Sequence, residues 1–137
     1  MKRSMKTQGL ILFAHGARDP RWALPFQAVA ECIAQQQPQL QLRLAFLELM
    51  TPSLAQAGAE LGAAGCTQVD VLPMFLGTGG HLRKDLPPML EQLREAHPAV
   101  HWRLHQAVGE QPLVRDAMAA AALALLAEAA NEPGGGA

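Results

Sequence analysis

The chain has 137 residues, 50% of them apolar and 17% charged, with a formal net charge of −1. That length carries one domain around one hydrophobic core, and the composition points to a globular fold rather than disorder. No block of Lys or Arg occurs, aromatic residues make up only 4% and Tyr is absent, which argues against a nucleic-acid-binding surface.

A basic segment, Met1-Lys-Arg-Ser-Met-Lys-Thr, precedes the apolar run Gly9–Ala14. That run is too short for a signal peptide or a membrane span and reads as a buried strand. A helical pattern follows over Pro20–Gln37. Pro25 is awkward early in it and moves its start towards Leu24, and Pro38 ends it. The second strand, Leu40–Leu47, closes on Glu48. Thr51-Pro52 reads as the cap and first-turn proline of a second helix, Pro52–Ala64, which Gly65 terminates. The third strand, Val69–Leu76, contains Pro73, which removes a ladder donor and predicts a bulge or one-sided pairing. The loop Gly77-Thr78-Gly79-Gly80-His81 leads to a third helix, Leu86–Ala96, capped by Asp85 with Pro87 and Pro88 in its first turn. Pro98 stops that helix before a fourth strand, Val100–Gln106, and a fourth helix, Pro112–Ala130. Residues 8–130 are expected to form the domain, with flexible termini at 1–7 and 131–137.

Alternating strands and helices of this kind predict an α/β fold, a four-stranded parallel sheet with helices on both faces and right-handed crossovers. Cys32 and Cys66 are far apart and form no CxxC motif. They read as two buried or half-buried thiols in a reducing cytosol, not as a disulfide framework or zinc finger.

Two histidines and a glutamate stand where strands end: His15 after the first, Glu48 after the second and His81 after the third. With strand order 2-1-3-4 those ends are neighbours about 4.8 Å apart. Open parallel sheets place their ligands at that edge, at the point where the chain direction reverses. Two imidazoles and a carboxylate delivered there make a candidate site for a divalent metal ion. Gly16, Gly79 and Gly80 let backbone approach a ligand closely. Gly77–Gly80 is neither a Walker A loop, lacking Gly-Lys-Ser/Thr, nor a Rossmann fingerprint. Arg18, Arg21, Arg83 and Lys84 put positive charge beside the same edge, which favours anionic substrates. His97 reads as a helix-end cation, and His101 and His105 as strand-packing or surface residues.

Three stretches in this order resemble the class II tetrapyrrole chelatases, most closely the short-form sirohydrochlorin cobaltochelatases. They are Leu12-Phe13-Ala14-His15-Gly16-Ala17-Arg18-Asp19-Pro20; Phe46-Leu47-Glu48 with Pro52-Ser53-Leu54; and Pro73-Met74-Phe75-Leu76 with Gly79-Gly80-His81-Leu82-Arg83-Lys84-Asp85-Leu86-Pro87. The resemblance covers roughly residues 8 to 130. It implies insertion of Co2+, Ni2+ or Fe2+ into sirohydrochlorin or a related tetrapyrrole. In that reading His15 and His81 bind the metal and take protons, Glu48 assists, and the metal is a substrate with no organic cofactor. Gly16, Arg18, Gly79, Gly80 and Arg83 are the candidate substrate contacts. Larger relatives have two lobes around one cleft, so the resemblance implies a homodimer with the tetrapyrrole between subunits. The composition and the short apolar run, for their part, lead us to expect a cytoplasmic protein with no nucleic-acid or membrane partner. Ala17 departs from the family, where many members carry a hydroxyl residue, and a histidine-rich metal-storage stretch is missing. Two other readings stay open: a non-catalytic metal carrier or sensor of the same fold, and a flavodoxin-like domain binding a phosphorylated ligand through Gly77–Gly80.

Overall fold

The computed structural model describes residues 7–77 and 79–131; the side chain of His81 lies outside that description, as do the terminal residues 1–6 and 132–137. The elements in chain order are β1 (Gln8–Ala14), α1 (Leu24–Gln36), β2 (Gln41–Phe46), α2 (Leu54–Ala63), β3 (Gln68–Pro73), α3 (Gly80–Ala96), β4 (His101–Leu104) and α4 (Pro112–Asn131). Short 3-10 turns at Pro20–Ala23 and Val108–Glu110 lead into α1 and α4. The four strands are parallel in the order β2-β1-β3-β4, as expected.

β1 is central and flanked by a strand on each side, so Ile11, Leu12, Phe13 and Ala14 are fully buried. A continuous apolar run with no alternation is what such a strand requires. On one face of the sheet, Ile11, Phe13, Val69, Val71 and Trp102 pack against Leu54, Ala57 and Leu61 of α2 and Leu86, Leu90 and Leu93 of α3. Gly58 brings these two helices together: a Cβ there would stand 2.5 Å from a Leu93 methyl. On the other face a smaller cluster, Ala14, Ala23 and Phe46, meets Trp22 and Phe26.

Several local expectations hold. α1 begins at Leu24, with Pro25 in its first turn. Gly65 (φ 89°) follows the end of α2, and Cys66 N–H donates back to the Leu61 carbonyl at 3.1 Å, a glycine-dependent helix stop. Pro73 pairs with Phe13 on one side, while the β3–β4 pairing stops at Val71 and Leu104. The proline therefore faces no partner strand on the β4 side.

Other boundaries move. α2 is capped by Ser53 rather than Thr51: Gln56 N–H donates to Ser53 Oγ (3.1 Å) and Ser53 N–H to Gln56 Oε1 (2.8 Å). Thr51–Pro52 is a cis peptide outside the helix. β2 ends at Phe46, whose N–H turns to the Pro52 carbonyl (2.9 Å), so Glu48 lies on a loop two residues beyond the strand. β3 stops at Pro73 instead of Leu76, and β4 is confined to His101–Leu104. α3 starts at Gly80, with Gly79 as its cap; Asp85 caps nothing, and Pro87 and Pro88 are interior. Prolines in a helix remove backbone bonds, but burial of Leu86, Leu90 and Leu93 on the sheet contributes about 2 kcal/mol per side chain and offsets the loss. Cys32 is exposed, contrary to expectation, whereas Cys66 is buried and burial pushes its thiol up.

Asp70 organises the far strand. Its Oδ1 accepts from Arg103 Nε at 2.6 Å and meets His105 Nε2 at 2.7 Å. Burial pushes the Asp70 carboxyl up, but hydrogen bonds from Arg103, His105 and Gln68, with the charge of Arg103, outweigh it and hold the group below its ordinary 3.8. A carboxylate lowered in this way stabilises the fold fully above its unfolded value and stops doing so as pH falls through the folded one.

Two stability outcomes follow from this packing. Leu90→Ala is expected to cost about 3 kcal/mol in urea unfolding, from lost burial and the cavity left behind. Asp70→Asn is expected to cost about 1 kcal/mol at pH 7, with the gap from the parent narrowing when the titration is repeated at pH 3.

Candidate active site

The carboxyl edge of the sheet is built from three chain exits. β1 runs directly into His15, β2 continues through Leu47 to Glu48, and β3 feeds the loop that opens α3 at Gly80. Parallel pairing persists past the ends of the strands: Leu47 N–H donates to the Ala14 carbonyl at 2.9 Å, and Glu48 N–H to the His15 carbonyl at 3.1 Å. These two bonds set His15 and Glu48 side by side. Gly16 permits the approach. It sits at φ 98°, and a Cβ built on it would stand 1.9 Å from the Glu48 carbonyl oxygen, so no other residue fits without moving the loop.

The side chains meet as well. His15 Nε2 lies 3.1 Å from Glu48 Oε1, and both groups are about half exposed. A carboxylate bonded to an imidazole fixes the orientation of the ring. The separation also suits chelation: two metal–ligand bonds of about 2.1 Å span such a gap when they meet at about 95°. Leu49, next in the chain, adopts φ 66°, and Met50 N–H closes back on the Glu48 carbonyl at 2.8 Å. A non-glycine residue in that region is strained by roughly 1 kcal/mol or more, and the strained turn holds Glu48 at the edge.

His81 is the second residue of α3, at the exit of the strand beside β1. Its backbone thus stands at the same edge as His15 and Glu48. Among the described residues, no three His, Cys, Asp or Glu side chains converge in a metal-sized group. Gly77, Gly79 and Gly80 have no positive φ, and a Cβ on any of them would meet no other described residue within 4 Å. Internal packing therefore does not require these glycines; they leave backbone open to an approaching molecule. The N-terminal N–H groups of the 17-residue α3 face the same edge and favour negative charge there.

The cations behave differently from one another. Arg18 is exposed and forms no ion pair with another described residue. Arg21 is drawn onto Asp19 at 2.8 Å, which raises the guanidinium's affinity for its proton and lowers the Asp19 carboxyl. Arg83 lies 3.7 Å from Glu110. Two shallow depressions flank the edge. One is lined by Ala17, Arg18, Phe46, Leu49 and Met50, the other by Pro73, Arg83, Pro87, His105 and Glu110. His105, read from sequence as a strand-packing or surface residue, borders the second depression with Asp70 behind it. Its signal was its place at the end of a strand, the same feature that singles out His15.

Comparison with known proteins gives the family. A family model described as CbiX matches residues 9–124. The chain belongs to the CbiX family. A CbiX protein of cobalamin (vitamin B12) biosynthesis from Marinobacter aquaeolei VT8 is similar over 88% of this chain and 98% of its own, with 34% identity and a TM-score of 0.79. The sirohydrochlorin cobaltochelatase of Methanosarcina acetivorans is 32% identical over 82 residues, 60% of this chain and 63% of that protein. The enzyme of the same name from Saccharolobus solfataricus is also 32% identical, over 60% of this chain and 62% of its own. The match therefore spans under two thirds of the length of these curated relatives. The sirohydrochlorin chelatase SirB of Bacillus subtilis subspecies spizizenii, solved in complex with cobalt, shares the fold at TM-score 0.68 and 21% identity, over 77% of this chain and 45% of SirB.

The Gly16 contact generates a direct test. Gly16→Ala is expected to destabilise the CbiX domain by about 3 kcal/mol, from left-handed strain plus overpacking, and to separate His15 from Glu48. Urea unfolding together with the His15 ring nitrogen shifts in NMR checks both effects.

Proposed function

We propose that this chain inserts a divalent metal ion, Co2+ with Ni2+ and Fe2+ as chemically close alternatives, into sirohydrochlorin or a related tetrapyrrole. The observation that carries the reading is the His15–Glu48 pair at the carboxyl edge, one strand from the start of α3, where His81 stands. Family membership and the names of the relatives support it.

Insertion exchanges one M2+ for the two protons on the pyrrole nitrogens. Neutral imidazole binds first-row ions and titrates near physiological pH, so it serves both halves of the exchange. His15 and His81 hold the ion with Glu48 as third ligand or base. As each imidazole nitrogen releases the ion to the ring, it is free to accept a pyrrole proton. A small ligand set suits an ion that must leave. Holding ring and ion in register supplies much of the acceleration. Arg18, Arg83 and the open N-terminus of α3, with Gly16, Gly79 and Gly80 leaving room, receive the carboxylates of the macrocycle. The choice of ion does not come from the donor set, since affinity for nitrogen and oxygen ligands rises from Fe2+ through Co2+ to Ni2+ almost irrespective of site.

The same reading makes the protein a homodimer acting in the cytoplasm. The chain spans 45% of SirB, so two copies supply the amount of fold in that larger chain. Two free cysteines fit a reducing compartment. No helix among the described residues is long and apolar enough to cross a membrane.

An absorbance assay with sirohydrochlorin and Co2+ tests the proposal. His15→Ala and His81→Ala are each expected to lower turnover by about 100-fold or more, and Glu48→Gln by about 10-fold, with unchanged circular dichroism. Near-parental turnover in both histidine variants contradicts the roles of His15 and His81 in holding the ion and taking protons. Co2+ binding with no turnover in the parent marks the carrier reading instead.

A further inference from the structure

We infer that the 3-10 turn Val108–Glu110 is the brace that positions His81, with Gly109 and Glu110 as its positioning residues. The inference rests on the metal role of His81 proposed above and adds what holds that histidine in place.

The start of α3 needs such a brace, because its own neighbours in the chain hold it loosely on both sides. Pro87 and Pro88 have no N–H to give to the Arg83 and Lys84 carbonyls, so two consecutive rungs are missing between the first turn and the rest of the helix. Among the described residues of α3, burial on the sheet begins only at Leu86, past the turn that carries His81. On the other side lie Gly77, Gly79 and Gly80, where a Cβ would meet no other described residue within 4 Å. Glycines so placed leave the backbone free to turn. His81 therefore sits on a single helical turn, closed by the bond from Arg83 N–H to the Gly79 carbonyl at 3.1 Å, between a glycine linker and a double proline.

The turn Val108–Glu110 reaches both ends of that unit. Ahead of it in the chain, Gly109 N–H donates to the Phe75 carbonyl at 2.9 Å, and a Cβ on Gly109 would stand 2.2 Å from the Leu76 carbonyl oxygen. The Leu76 side chain is 72% exposed, so burial does not hold this residue and the backbone contact does. Beyond it in the chain, Glu110 Oε1 lies 3.7 Å from Arg83 Nη2, across the depression that Leu86, Pro87 and Ala107 line. The two anchors bracket His81, one on each side.

The brace is itself stiff. His105 N–H donates to the Val71 carbonyl at 2.9 Å and carries the β3–β4 pairing past Leu104. Ala107 is buried, Glu110 N–H donates to its carbonyl at 3.0 Å, and Gln111 N–H donates to the Val108 carbonyl at 3.2 Å. The same device serves both halves of the edge. Gly16 lies on the Glu48 carbonyl as Gly109 lies on the Leu76 carbonyl; the first contact sets Glu48 against His15, and the second sets the approach to His81. Of the two anchors on His81 the glycine contact is the stronger. An exposed ion pair contributes little, whereas a methyl group on Gly109 forces the Leu76 backbone aside by about 1 Å, enough to spoil the placement of a reacting group.

Titration calorimetry of the full chain with Co2+, read as a double-mutant cycle with His81→Ala, tests the brace; circular dichroism checks each fold. Gly109→Ala is expected to weaken Co2+ binding about 10-fold and Glu110→Gln about 3-fold. Neither is expected to weaken it further once His81 is replaced by Ala. A merely structural role weakens binding equally in both backgrounds, and that result overturns the brace. Parental affinity in Glu110→Gln and in a folded Gly109→Ala also overturns it, and leaves the metal role of His81 standing where His81→Ala itself binds Co2+ less tightly. If Gly109→Ala does not fold, Glu110→Gln in the two backgrounds decides alone. A parent that binds no Co2+ overturns the metal reading and the brace together.

Discussion

The site depends on two backbone hydrogen bonds that continue the β1–β2 ladder beyond its last paired residues. Leu47 and Glu48 donate to Ala14 and His15, and this registers an imidazole against a carboxylate although 33 positions separate them in the chain. The extension survives only because Gly16 has no side chain to strike the Glu48 carbonyl. Rigidity at this point fixes the 3.1 Å separation of His15 Nε2 and Glu48 Oε1. The fully buried β1 beneath it is the base on which that spacing rests.

Much of this architecture could be read from residues. The unbroken apolar run at Gly9–Ala14, the Gly65 stop and the awkward Pro25 all act through local backbone chemistry, so they report their own conformation. Strand order and the shared edge of His15, Glu48 and His81 follow from topology rules. What escaped has a common cause: the local signal was real but pointed elsewhere. Pro87 and Pro88 mimic a first turn, yet burial of Leu86 and Leu90 carries the helix two turns further back. Thr51-Pro52 imitates a cap, while the Ser53–Gln56 box, one residue on, makes both capping bonds. Leu49 gives no hint of a left-handed conformation, because the surrounding loop imposes it. Gly58 looks like a helix weakness until Leu93 is seen against it.

The two faces of the sheet are finished to different degrees. α2 and α3 cover one face from end to end, while α1 covers only the β1–β2 half of the other. An α/β domain buries both faces of its sheet, and here one face is closed more completely than the other.

Anomalous diffraction from crystals grown with Co2+ tests the central claim most directly. The account predicts one cobalt peak at the carboxyl edge, about 2.1 Å from His15 Nε2, with a ring nitrogen of His81 and a carboxylate oxygen of Glu48 completing the protein ligands. A fully occupied cobalt ion elsewhere on the chain, with the His15 and His81 rings turned away from each other both within and between subunits, contradicts it.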